Sequence, residues 1–173
     1  HPRDRRQRQM CIRDRPIVPE RNSNANLESG NDVYYKGAHA LHMLRYIIGK
    51  ETLWASLKEY LQMPKELPDN QTSTDEFISL IEENSGMKLD WFFNQYFFKK
   101  ELPTLKKLEK TINNKKYVDL WWEEVDFKMP VEINYFSFDG KRYKKLDLDN
   151  KPKRFVIPSD SKLIIDPNRW LLY

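Results

Sequence analysis

Apolar positions first fall into register after a polar lead. Ala38, Leu41, Met43, Leu44, Ile47 and Ile48 form a broad stripe at near-helical spacing and predict a helix. Asn31 or Asp32 is placed to cap its first free N–H groups, and Gly49 to end it. Leu53, Trp54, Leu57, Tyr60 and Leu61 predict a second helix over 51–61, which Pro64 and Pro68 prevent from continuing. Ser73-Thr74-Asp75-Glu76 has the form of a capping box, followed by Phe77, Ile78, Leu80 and Ile81 as a buried side and by Gly86 as a stop. Residues 89–99 carry Trp91, Phe92, Phe93, Tyr96, Phe97 and Phe98, aromatic on nearly every side, which predicts burial between other elements.

From Pro103 the period shortens. Residues 105–112 and 117–122 flank Asn113-Asn114-Lys115-Lys116, a hairpin signal. Val131-Glu132-Ile133-Asn134-Tyr135 alternates, and Asp139-Gly140 predicts a second hairpin into residues 141–148. Phe155-Val156-Ile157 and Leu163-Ile164-Ile165 are short strands with Pro158 and Pro167 at their margins. Helices followed by strands predict an α+β chain, with a helical part at 31–102 and a small β-sandwich at 103–173. In the Trp121-Trp122 pair, alternation puts one ring inside and leaves the other expected at a domain interface.

Composition changes this picture at one end. The net charge of +4 resides in residues 1–21, with seven Arg against Asp4, Asp14 and Glu20, whereas residues 22–173 balance 23 cations with 23 anions. No Lys precedes Lys36, yet nineteen Lys and four Arg follow residue 21. This switch, with the lone Cys11 inside it, marks residues 1–21 as a foreign or artefactual end rather than a basic arm for nucleic acid or anionic lipid. With the polar, turn-prone stretch 22–30 they form an expected disordered lead of thirty residues. No nucleic-acid partner is then implied, and no apolar run is long enough for a membrane span.

One glycine departs from the helical pattern. Gly37 lies early in the first helix, where it costs about 1 kcal/mol relative to Ala, so either a close approach of backbone or substrate, or tight helix packing, would account for it. Around it, Tyr34-Tyr35-Lys36-Gly37-Ala38 leads into Leu41-His42-Met43-Leu44-Arg45. This segment resembles the one that carries the catalytic tyrosine in zinc aminopeptidases of the gluzincin type, such as membrane alanyl aminopeptidases and leukotriene hydrolase. Gly49-Lys50-Glu51-Thr52-Leu53-Trp54, Thr74-Asp75-Glu76-Phe77, Ser85-Gly86-Met87-Lys88-Leu89-Asp90-Trp91-Phe92 and Leu102-Pro103 resemble later family segments in the family's order. Tyr96 stands where tryptophan is common, and Glu101 or Leu102 replaces a glycine. The end, residues 164–172, resembles the last strand of the family's small β domain.

The resemblance implies the end of a thermolysin-like helical catalytic domain followed by a β-sandwich. It also implies a peptide substrate and zinc in a longer parent, the metal being held by a His-Glu-x-x-His helix and a further Glu. Zinc lowers the pKa of bound water from about 16 to about 7. The family's tyrosine donates to the tetrahedral oxyanion, a task suited to a phenol, which keeps its O–H at neutral pH. By resemblance that tyrosine is Tyr34; Lys36 receives no catalytic role. The zinc motif is not in this sequence: its histidines are His1, His39 and His42. His39 and His42 share a helix face but sit among apolar residues without a third ligand, so they imply packing or surface roles. The chain is expected to be a C-terminal fragment, inactive alone, from a family with exported bacterial members. The competing expectation is a non-catalytic binding or scaffold protein with a helical module and a β domain.

Overall fold

The computed structural model describes residues 16–18, 32–63, 73–138 and 140–173, the side chain of Asp32 excepted. The expectations for residues 1–15 and 19–30, the Asn31 or Asp32 cap, the Pro64 and Pro68 connection and Asp139 lie outside those residues. The chain divides into two compact units, one ending at Glu101 and the other starting at Leu102. Helices occupy the first and antiparallel strands the second, an α+β architecture.

In the first unit, α1 spans Asp32–Ile48 and α2 Lys50–Gln62. Gly49 joins them at φ 91°, its N–H donating to Arg45 O at 3.0 Å and its carbonyl accepting from Leu53 N–H at 3.2 Å. Only glycine reaches that conformation at little cost. The buried line of α1 is Lys36, Ala40, Met43 and Leu44, so Ala38, expected on the stripe, is exposed. In α2, Leu53 and Ser56 are buried, with Leu57 and Tyr60 partly so. Trp54 and Leu61 were expected on that face but are 55% and 76% exposed. They lie seven residues apart on the adjoining face, outside the line at 53, 56, 57 and 60.

The capping box forms as expected. Ser73 Oγ accepts from Glu76 N–H at 3.1 Å, and Glu76 Oε2 accepts from Ser73 N–H at 2.6 Å. It starts α3, Thr74–Ser85, which buries Phe77, Leu80 and Ile81 and ends at Gly86 in the left-handed conformation. Glu82 then receives the Leu89 N–H at 2.5 Å and the Lys88 ammonium at 2.9 Å. The Leu89 bond, followed by Lys88, holds the Glu82 carboxyl below its ordinary value.

The aromatic segment is α4, Asp90–Phe93, continued by a π-helical turn, Asn94–Phe98. The wider turn is evident where Lys99 N–H reaches Asn94 O, five residues back, at 3.2 Å. Phe92, Phe93, Tyr96 and Phe97 are buried, whereas Phe98 is exposed, so burial covers one broad face instead of every side. Ring centroids of Phe77 and Phe93 lie 6.1 Å apart, those of Phe93 and Phe97 5.0 Å and those of Tyr60 and Phe77 5.2 Å. The edge-to-face geometry suits the ring quadrupoles. Burial pushes the Tyr96 phenol far above its ordinary pKa. From the segment 16–18, Val18 N–H donates to Phe97 O at 2.9 Å.

The second unit holds β1 Thr104–Ile112, β2 Lys115–Glu123, β3 Met129–Ser137, β4 Gly140–Leu148, β5 Lys153–Pro158 and β6 Lys162–Ile165. They form two antiparallel three-stranded sheets, ordered β1-β2-β5 and β4-β3-β6. Asn113 and Asn114 make the first hairpin with φ 47° and 59°, so Lys115 and Lys116 belong to the strand. Two successive positive φ values match the right-handed twist of the flanking strands. Both sheets supply the core: Val118, Leu120 and Trp122 from β2, Met129, Val131 and Ile133 from β3, and Phe155 and Ile157 from β5. Trp122 is fully buried and Trp121 half-buried on the opposite face.

The chain does not continue as a strand to residue 172. It leaves β6 at Asp166, whose φ is 45° and whose two carboxylate oxygens accept the Trp170 and Leu171 N–H groups at 2.8 and 2.9 Å. That turn returns Leu171 and Leu172 to the core. On β2, Asp119 holds Arg154 of β5 through two bonds of 2.8 Å.

Two outcomes follow from these bonds. Asp166→Ala orphans two amides, one of them buried, and should lower unfolding stability by roughly 1–3 kcal/mol in urea melts. Hydrogen bonding to Arg154 lowers the Asp119 pKa. A lowered carboxyl stabilises the fold above its unfolded pKa, and that contribution is lost as pH falls through the folded value. The stability gap between the natural chain and Arg154→Met should therefore close on acidification below the ordinary aspartate range. A gap that is constant with pH would dismiss the ion pair as its source.

Candidate functional site

The start of α1 separates its side chains by direction. Successive helical residues turn by about 100°, so positions 34 and 36 face nearly opposite ways. Tyr34 is 77% exposed and Tyr35 46%, while Lys36 between the same turns is 0% exposed. A tyrosine serving only as core filler would be buried. The Tyr34 side chain is instead largely exposed, and a phenol so placed can donate to a neighbouring oxygen.

Lys36 is the residue whose place the hydrophobic pattern did not disclose. Its ammonium donates to Lys99 O at 2.7 Å and Lys100 O at 3.3 Å, directly beyond the π turn. Gln95 Nε2 donates to the next carbonyl, Glu101 O, at 2.8 Å. Three consecutive carbonyls thus receive side-chain donors where helical donors have run out. The signal was present: Lys36 occupies the line 36, 40, 43 and 44 that the buried residues of α1 follow. Residue type, commonly solvated for lysine, concealed it.

Gly37 has a simpler environment than expected. Among the described residues a Cβ built there meets nothing within 4 Å, so among them neither close backbone approach nor tight packing requires glycine.

His39 and His42 lie edge to face with ring centroids 6.0 Å apart. Arg45 Nη2 stands 3.1 Å from His42 Nδ1, and a guanidinium can only donate, so that nitrogen is the acceptor. A fixed cation on that ring nitrogen opposes a metal ion there. Among the described residues no three His, Cys, Asp or Glu side chains are grouped so as to hold a metal. Among the same residues, no helix is long and apolar enough to cross a membrane.

No family model matches the chain, and no curated protein does. Among solved structures, the chain is similar to the crystal structure of Legionella pneumophila aminopeptidase A in complex with aspartic acid, with a TM-score of 0.66 and 16% identity. The likeness covers 89% of this chain and 19% of that one, and at such identity it shows a shared fold.

The open space at Gly37 has a measurable consequence. Gly37→Ala should raise the stability of this chain by about 0.5–1 kcal/mol, read as a higher urea midpoint with unchanged m-value.

Proposed function

We propose that these residues are part of an aminopeptidase of the gluzincin type, with Tyr34 as the donor that stabilises the tetrahedral oxyanion of a peptide under hydrolysis. The observation that carries this reading is the fold shared with an aminopeptidase over 89% of the chain, while the chain spans only 19% of that protein. The order of the Tyr34-Tyr35-Lys36-Gly37-Ala38 segment and its followers supports the family. The outward direction of Tyr34, 77% exposed on a turn anchored from beneath, supports the role.

The chemistry available to Tyr34 is hydrogen-bond donation. A phenolic O–H aimed at the oxygen that gains negative charge favours the transition state over the ground state. The proton stays on the phenol. The metal and its ligands would belong to parts of the parent outside these residues, and this chain by itself should release no amino acids from peptides.

A binding or scaffold function is the second reading. It is favoured by the exposed Phe136, Phe138 and Tyr143 along the β3–β4 hairpin. A purified full-length parent distinguishes the two. The peptidase reading expects N-terminal residues to be released, with Tyr34→Phe lowering kcat on the order of 10²–10³ at unchanged zinc content. Turnover equal to that of the natural protein would remove Tyr34 from the reaction, and a parent that cleaves no peptide would leave the binding reading.

A further inference from the structure

We infer that Lys36 is a positioning residue that sets the direction of Tyr34; its catalytic meaning rests on the reading of Tyr34 just proposed. The two side chains leave one helical turn on nearly opposite sides. Anything that fixes the rotation of the turn from the buried side therefore fixes the exposed ring as well. Lys36 does so with a directional tool. An apolar side chain at position 36 could slide or rotate in its pocket, whereas an ammonium held by Lys99 O at 2.7 Å and Lys100 O at 3.3 Å tolerates little displacement. Leaving this charge unpaired in the interior is strongly disfavoured, so the bonds persist while the unit is folded.

The acceptors are themselves held. Lys99 N–H bonds Asn94 O at 3.2 Å and closes the π turn, while Gln95 Nε2 holds Glu101 O at 2.8 Å. The buried aromatic residues Phe92, Phe93, Tyr96 and Phe97 anchor that turn in the core. Position is thus passed from the aromatic core to residues 99–101, to Lys36, and through one helical turn to Tyr34. The lysine touches no reacting atom on this scheme.

The first test uses the 173-residue chain. Lys36→Met keeps length and apolar stem but removes the cation. Amide hydrogen exchange at residues 36–40 should quicken at least about tenfold, with amides 77–85 of α3 unchanged. Equal protection in both chains would overturn the clamp. If Lys36→Met does not fold, Lys36→Gln, uncharged and one bond shorter than lysine, carries the same comparison.

The second test uses the full-length parent. Lys36→Met should lower kcat by up to about 10²-fold, as small misplacements of a catalytic group do, with KM within about twofold. Added to Tyr34→Phe, it should cost little more, because the hydroxyl it positions is already gone. Fully multiplicative losses would show that Lys36 acts elsewhere and overturn the inference. If Tyr34→Phe alone leaves turnover intact, the oxyanion reading fails, while hydrogen exchange still decides the clamp.

Discussion

A lysine ammonium shut away from water imposes the strictest demand in the helical unit. Its charge must be met by acceptors, and two of them are backbone carbonyls beyond the last helical turn, where uncompensated carbonyl dipoles carry partial negative charge. Residues 36 and 99 are far apart in sequence, so this contact joins the beginning and end of the helical order. It also satisfies two carbonyls of the stretch leading to Glu101, while Gln95 satisfies the third. The hydrophobic core provides most of the stabilisation, but it is tolerant of small rotations; the ammonium is not.

The π turn supplies the geometry that this contact requires. An uninterrupted α-helix through residues 90–98 would direct its C-terminal carbonyls along a different azimuth. One wider turn changes that direction while Phe92, Phe93, Tyr96 and Phe97 remain packed among Phe77 and Tyr60. Aromatic packing accepts the irregularity because edge-to-face rings fill space over a range of angles. Here the fold joins local irregularity to the placement of a side chain on another helix.

Elements with local chemical causes were legible in the sequence. The Ser73 and Glu76 box, the left-handed Gly86, the Gly49 junction and the consecutive asparagines at 113 and 114 each depend on a few adjacent residues. Features set by distant parts were not. The wider turn at 94–98 leaves no residue-type signature, and the buried place of Lys36 stayed hidden because its carbonyl acceptors lie more than sixty positions away. Trp54 and Leu61 looked buried because apolar character does not say which of two adjoining faces meets the core. At the end of the chain, Asp166 was passed over within a segment read as one strand, although a short carboxylate can turn the backbone by accepting its own downstream amides. Tyr34 was singled out by motif order; the physical pattern alone allowed an ordinary packed aromatic.

The first sheet ends on β1, which exposes Leu108 and Ile112 beside a row of main-chain groups with no further strand among the described residues. Such a margin invites a stray chain to add itself by backbone pairing. Lys106, Lys107 and Lys110 occupy the same strand, the first two paired with Glu123 and Glu109 at 3.0 and 3.1 Å, so an added strand would have to settle against charges already held in place. Charge is thus what guards this border, and concentrated electrolyte, by shortening the reach of those charges, weakens the guard while leaving the greasy positions as they were.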